Sequence, residues 1–218
     1  MMKKSFIVVG CGRFGYSVAT RLFELGYDVM AIDNDEETVQ DLSDKVTYSV
    51  QADATDATAL SELGVQNFDV AVISIASDVQ SSILATILVK EMGVNYVVCK
   101  AKDNLQAKVL YKIGADKVVF PEKDMGIKVA NSLVSKNVVD YFDIDSDYAI
   151  AEIKLPSSYF DKKIKDIPLR QTYDLNIVGI KDEEGIRFNP DAKRVLKEGE
   201  VLIVIGTRDM IQKFEEIE

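Results

Sequence analysis

The sequence predicts an α/β protein: a doubly wound parallel sheet followed by a small α+β domain. Three observations carry this. Short apolar runs alternate with helical spacings through the first two-thirds of the chain. Those runs are continuous, as in strands buried on both faces. Past Pro121 the runs alternate, apolar against polar, as in half-buried antiparallel strands.

Residues 6–10 form an apolar run ending in glycine, the first strand. Phe14, Val18, Leu22 and Leu25 then recur at helical spacing until Gly26 stops them. Residues 29–32 are the second strand, 35–44 a polar helix and 48–50 a weaker third strand. Residues 70–75 are a strong buried strand, and Ile83, Leu84, Ile87, Leu88 and Met92 mark a helix closed by Gly93. Residues 96–100 make a fifth strand and 117–120 a sixth. Between them Leu105, Val109, Leu110 and Ile113 mark a helix closed by Gly114. Residues 125–139 read as one long helix with Ile127, Ala130, Leu133 and Val134 apolar, and the acidic stretch 140–147 reads as a linker. Strands follow at 148–153, 175–180, 186–188 and 201–205, with Asp182-Glu183-Glu184-Gly185 as a hairpin turn, and a helix runs from about residue 209 to the end. The expected division is a first domain over 1–122, a crossover helix and linker over 123–142, and a second domain over 143–218.

Composition narrows the chemistry. The 218 residues hold 26 Lys+Arg, 36 Asp+Glu, no His and 2 Cys, for a net charge of −10. Without His there is no Ser-His-Asp triad, His general base or His-ligated metal. Two Cys make neither a disulfide framework nor a four-thiolate zinc site. The negative charge argues against a surface that grips nucleic acid or an anionic membrane. No apolar run approaches the ~18 residues that span a bilayer, and the apolar stretch after Lys3-Lys4 meets Gly10 too soon for a signal peptide. A cytosolic chain with reduced thiols is expected.

Gly10-Cys11-Gly12-Arg13-Phe14-Gly15 matches G-x-G-x-x-G between a strand and a helix. Asp33 ends the second strand 18 residues after Gly15, near the roughly 20 of a dinucleotide-binding, Rossmann-like unit. Gly10 permits the tight turn, Gly12 the approach of a pyrophosphate, and Gly15 close helix–strand packing. The helix N-terminus offers unpaired N–H groups to phosphate, and Asp33 can accept from ribose hydroxyls. Arg13 opposes the helix dipole unless an anion lies nearby, so it reads as a phosphate ligand or as a surface Arg paired with an acid. Asp53 faces the ligand crevice and can accept from an adenine amino group, or it caps the helix starting near Asp56. Lys100 points to the same edge. Glu122 follows Pro121, where an acid also suits a helix N-terminus.

Other patterns are weaker. Asp143-x-Asp145-x-Asp147 begins like a calcium loop, but Tyr148 and Lys154 stand where Gly and Glu are needed, which excludes an EF-hand. Cys11 and Cys99 lie on strands that are not neighbours in the usual sheet order, so no disulfide is expected. Cys11 at a helix N-terminus reads as a thiol of lowered pKa or as a small loop residue. Lys193, Arg194, Arg187 and Arg170 form a modest basic group, read by default as solvated surface.

With these residues in place the chain resembles the RCK (KTN) family, nucleotide-binding regulators of potassium uptake, and most of all its KtrA/TrkA type. The carrying segments are Val8-Val-Gly-Cys-Gly-Arg-Phe-Gly15, Ala31-Ile-Asp33, Ala52-Asp-Ala-Thr55, Val98-Val-Cys-Lys-Ala101, Lys112-Ile-Gly-Ala-Asp-Lys-Val118 and Pro121-Glu-Lys-Asp-Met-Gly126. The resemblance covers almost the whole chain, including an RCK-C-like domain from about Asp143, and the last two segments are far more specific than the glycine loop. Cys11 departs from an apolar residue usual there, and Gln51 stands where many members have Gly. The resemblance implies dimers assembled into an octameric ring, docked in the cytoplasm under a membrane potassium-translocating subunit. It implies ATP and ADP as opposing ligands, with NAD(H) also able to bind. Arg13 would reach the terminal phosphates across a dimer, Asp33 the ribose, Asp53 the adenine and Lys100 the phosphates. Phe14, Asn34, Ala54, Ser74 and Ala76 complete the candidate nucleotide residues with Gly10, Gly12 and Gly15. Glu122 would lie at the dimer seam, where some members hold a divalent cation or sodium. The second domain resembles RCK-C domains that bind cyclic di-AMP between subunits, with Arg170 and Asn176 as polar contacts and Ile167, Ile177 and Pro190 as apolar walls.

Two functions from different classes then compete. A ligand-gated regulatory subunit needs no catalytic residue. An NAD-dependent oxidoreductase needs a general acid or base, and without His no Tyr-x-x-x-Lys pair is suitably placed to supply one.

Overall fold

Six strands, five of them of nearly continuous apolar sequence and the third half polar, form the first sheet of a computed structural model that describes residues 3–75, 78–134, 138–145 and 147–217. The chain divides into two compact units, Met1–Asp124 and Met125–Glu218.

Unit 1 runs β1 (Ser5–Val9), α1 (Arg13–Glu24), β2 (Asp28–Asp33), α2 (Glu36–Leu42), β3 (Tyr48–Gln51) and α3 (Ala57–Glu62). It continues with β4 (Val70–Ile73), α4 (Val79–Glu91), β5 (Tyr96–Lys100), α5 (Asn104–Lys112) and β6 (Lys117–Val119). α6 (Pro121–Val134) starts with Pro at its first position, where the missing N–H costs nothing, and carries the chain across the unit boundary. The strands are parallel in the order β3-β2-β1-β4-β5-β6. The chain winds outward from β1 to β3, then restarts beside β1 at β4. That reversal opens a crevice at the carboxyl ends of β1 and β4. Alternate residues of one strand feed opposite cores. Ile7 and Val9 pack with Ile73, Val97 and Leu110, while Val8 packs with Val29, Ala31 and Leu42. Each fully buried Ile, Leu or Val adds about 1.5–3 kcal/mol, so the sheet is a rigid frame for the loops at its edge. Cys11 and Cys99 are free and buried, and β4 separates their strands.

Unit 2 contains β7 (Val138–Asp143), β8 (Tyr148–Lys154), α7 (Leu169–Tyr173), β9 (Asn176–Asp182), β10 (Gly185–Phe188), β11 (Val201–Thr207) and α8 (Arg208–Glu215). Its sheet is antiparallel, in the order β10-β9-β11-β8-β7. Ala149, Ala151, Ile153, Leu202 and Val204 pack against Leu169, Ile211 and Phe214 from α7 and α8. The hairpin at residues 182–185 forms as expected, with Gly185 opposite Asp182.

One segment differs from expectation. α6 is described as far as Val134, residues 135–137 of the expected helix lie outside the described residues, and Val138–Asp143, read as helix end and acidic linker, is strand β7, paired with β8. The β-branched and aromatic residues in Val138-Val-Asp-Tyr-Phe-Asp143 favour a pleated strand over a helix. Asp145, from the rejected calcium pattern, accepts from the backbone N–H groups of Asp147 and Tyr148, both at 2.8 Å, and so closes the turn into β8.

Candidate functional site

Helix capping singles out one end of the first sheet. α2, α3, α4 and α5 begin with Asp35, Asp56, Asp78 and Asp103, each accepting from first-turn backbone N–H groups. α1 begins with Gly12, which gives no side-chain cap, and its first turn holds no acid. Its free N–H groups and dipole make this helix start the natural anion receptor of unit 1.

The glycines in front of it answer to distinct constraints. Gly10 has φ +83°, and a Cβ there would sit 2.9 Å from Ile75 Cγ1. A Cβ on Gly15 would lie 2.0 Å from the Gly10 carbonyl oxygen. Nothing lies within 4 Å of a Cβ built on Gly12, so its bareness leaves open space over the helix start.

Asp33 fastens this loop. One carboxylate oxygen accepts from the Cys11 N–H at 2.5 Å and the other from the Asp35 N–H at 3.0 Å. Asp53 accepts from the Thr55 N–H at 2.8 Å and the Thr55 hydroxyl at 2.7 Å, which holds its carboxyl below the usual carboxylate range. Asp56, not Asp53, caps α3. The capping alternative for Asp53 is thereby removed.

A cavity of about 440 Å³ joins these groups. Its walls include Gly10, Gly12, Asp33, Asn34, Asp53, Ala54, Ser74 and Lys100. Thr38, Asp78 and Ser81 also line it, and sequence reading missed all three. Their signal was the Asp cap pattern at the starts of α2 and α4, which reads as local helix chemistry until the topology turns both starts toward one crevice. Ala76 lies outside the described residues.

Arg13, Phe14, Gly15 and Glu122 are not on this wall. Arg13 is exposed at the first position of α1, and its guanidinium has no hydrogen-bond or ion-pair partner among the described residues, so it is not a surface Arg held by an acid. Lys100 is 12% exposed, bonds Glu122 at 2.5 Å, and stands 5.9 Å from the centre of the Phe14 ring. The Lys100 ammonium, then the backbone N–H of Glu122 itself, hold the Glu122 carboxyl below its ordinary range, and Arg13 adds a weaker pull. No group of three Cys, Asp or Glu side chains able to hold a metal stands among the described residues.

Cys11 corrects an expectation. Burial, then the neighbouring Asp33 charge, push its thiol up to about 12. Its position before a helix is outweighed by desolvation, so it is not a reactive thiol.

In unit 2 the second-ligand candidates occupy α7, β9 and the loops beside them. Ile167 is buried and Ile177 packs half-buried on the same core, Pro190 is half-buried, and Arg170 and Asn176 are exposed. Two members of the basic group, Arg187 and Arg194, meet among acids rather than as free cations. Arg194 pairs with Glu200 at 2.6 Å and Asp182 at 3.4 Å, while Arg187 pairs with Glu184. Both arginines line a separate hollow of about 560 Å³ among acids, and none of the five candidates lies on it.

Comparison with known proteins now bears on this geometry. The TrkA-N domain model matches residues 6–121 and the TrkA-C domain model residues 149–218. The chain is 40% identical over 214 residues to Ktr system potassium uptake protein C of Bacillus subtilis, covering 98% of this chain and 97% of that protein. It is 37% identical over 212 residues to Ktr system potassium uptake protein A of the same organism, covering 97% and 96%. Among solved structures it is similar to the GsuK channel bound to NAD, with TM-score 0.67 and 17% identity over 99% of this chain and 39% of that one. It is also similar to the Shewanella denitrificans Kef CTD in its AMP-bound form, with TM-score 0.53 and 20% identity over 61% of this chain and 83% of that one. At these identities the structures show the fold. The potassium-uptake relatives set the chain apart from enzymes, which removes the oxidoreductase alternative.

Proposed function

The chain belongs to the family of proteins built from a TrkA-N and a TrkA-C domain, and from that premise we propose that it is the nucleotide-binding regulatory subunit of a potassium-uptake system. One observation carries the ligand class. The uncapped start of α1 faces a cavity that presents an acceptor pair, Asp33 and Asp53, and a cation, Lys100. The residues fit an adenine nucleotide. The α1 N–H groups and Arg13 would hold phosphates, the free lone pairs of Asp33 a ribose, and Asp53 the adenine amino group. ATP and ADP are the favoured ligands, with NAD(H) as a further one. The NAD and AMP named for the two structural neighbours support that class.

Mechanism then follows from linkage alone. Arg13, Asp33 and Lys100 bind one ligand better than another, and that difference shifts the population of two assembly states. An octameric ring of dimers would transmit the shift to a membrane potassium-translocating subunit, with Glu122 at the dimer seam able to take a cation. In this reading unit 2 takes cyclic di-AMP between two subunits through Arg170, Asn176, Ile167, Ile177 and Pro190. The protein works on the cytoplasmic side, held at the membrane by its partner. No helix among the described residues is long and apolar enough to cross a membrane.

Calorimetry with ATP, ADP and NADH tests the reading. Arg13→Ala should weaken ATP by about tenfold or more, the scale of a lost charge-assisted contact. Unchanged melting and no heat with all three ligands would remove the proposed function.

A further inference from the structure

Resting on the nucleotide reading, we propose that Glu122 is an internal rival for Lys100: Lys100 receives a phosphate group only by giving up the Glu122 carboxylate, so that nucleotide binding frees Glu122 at the first turn of α6. Four observations converge on this. β5 and β6 are paired with Lys100 opposite Val119, which brings the end of one strand beside the loop that starts α6. The Lys100 stem is mostly buried, and its ammonium stands over the Phe14 ring, so its position on the cavity wall is narrowly held. Glu122 is 71% exposed at its side chain, and Lys100 is its one ion-pair partner among the described residues. It can therefore swing to water at little cost, whereas Lys100 cannot follow it. Arg13 adds a weaker electrostatic pull on the same carboxylate without pairing with it.

A lysine ammonium is a point charge. Placing a phosphate against it while Glu122 keeps its 2.5 Å contact sets two anions within a few ångströms, and like charges at that range repel. The pair with Glu122 thus scales apparent affinity down to the fraction of time Lys100 is free. The freed carboxylate stands on the helix that leads out of the nucleotide unit. That couples occupancy of the cavity to the charge presented by α6.

The test is isothermal calorimetry with ATP and with ADP on the full chain, with EDTA present so that no divalent cation bridges the groups. Glu122→Gln should bind both about threefold to fivefold more tightly, the upper range for removal of a rival ion pair with an exposed partner. Glu122→Ala should do the same, which guards against an effect of the new amide. In a Lys100→Met background, which itself binds more weakly, Glu122→Gln should change affinity less than twofold. Equal or weaker binding by Glu122→Gln, or the same gain with and without Lys100, overturns the rivalry while nucleotide binding stands. A wild-type chain that binds neither nucleotide overturns the nucleotide reading and the rivalry with it.

Discussion

Gly12 and Gly15 stand three residues apart and answer to different masters. A Cβ on Gly15 would collide with the Gly10 carbonyl at 2.0 Å, and backbone has no flexible end to move aside. Gly15→Ala should therefore destabilise unit 1 by about 3 kcal/mol or more, the upper range for overpacking, read as a fall in the urea midpoint. Gly12 has room for a methyl group and an extended backbone that any residue adopts. Gly12→Ala should keep the wild-type midpoint within about 0.5 kcal/mol and lose nucleotide affinity, because the methyl crowds the helix start. Equal destabilisation by both would contradict this division. The motif spacing made these glycines readable in advance. The state of Cys11 was not readable, since burial depends on β2 and α2 packing over it. With thiols pushed up to about 12 and about 11, Cys11 and Cys99 should resist iodoacetamide at pH 8 and react once the chain is unfolded in urea. Labelling of the native chain at the rate of a free thiol would count against their burial.

Helices and strands were readable where one signal dominated. The strands of unit 1 announced themselves because burial on both faces forces continuous apolar runs. β7 did not, because its acids at 140 and 143 look like a solvated linker, and the pairing that makes it a strand lies with β8 further along the chain. Caps show the same limit at helix scale. Asp53 and Asp56 are both plausible caps for α3 by position, and only the bonds made by each carboxylate separate them. Asp56 accepts from Thr58 and Ala59 backbone N–H groups, while Asp53 closes a turn with Thr55 at the cavity wall. Asp56→Ala should cost about 1 kcal/mol of stability and leave nucleotide affinity alone. Asp53→Asn keeps an acceptor for Thr55 yet loses charge toward an adenine amino group, so it should weaken ATP by about tenfold with little change in melting. The reverse pattern would return Asp53 to a purely structural role.

At the scale of the whole molecule the absence of histidine acquires a measurable consequence. The carboxyls of Asp53 and Asp116 are held below their ordinary range by backbone N–H donors, from Thr55 and Val97 respectively. Asp35 and Asp78 are lowered foremost by the side-chain hydroxyls of Thr38 and Ser81. Glu122 is lowered by Lys100. A depressed folded pKa means that the unfolded chain binds protons first as pH falls. Stability from these groups is present above the unfolded carboxyl values near 4 and drains away as pH drops through the lower folded values. The two thiols act in the opposite direction. Their folded values are raised, so the unfolded chain loses its thiol protons first, from about pH 8.5 upward, and stability declines from there. Between these limits no histidine side chain titrates, because the chain has none. Its net charge of −10 and the self-repulsion that goes with it are then nearly constant across neutral pH. Melting temperature should be flat from about pH 6 to 8, fall steeply below about pH 4 and soften above about pH 8.5. Calorimetric scans across that range check all three regions together. A step near pH 6.5, the signature of a buried imidazole in other proteins, has no group here to produce it, so finding one would locate a strongly shifted carboxyl that the geometry does not account for.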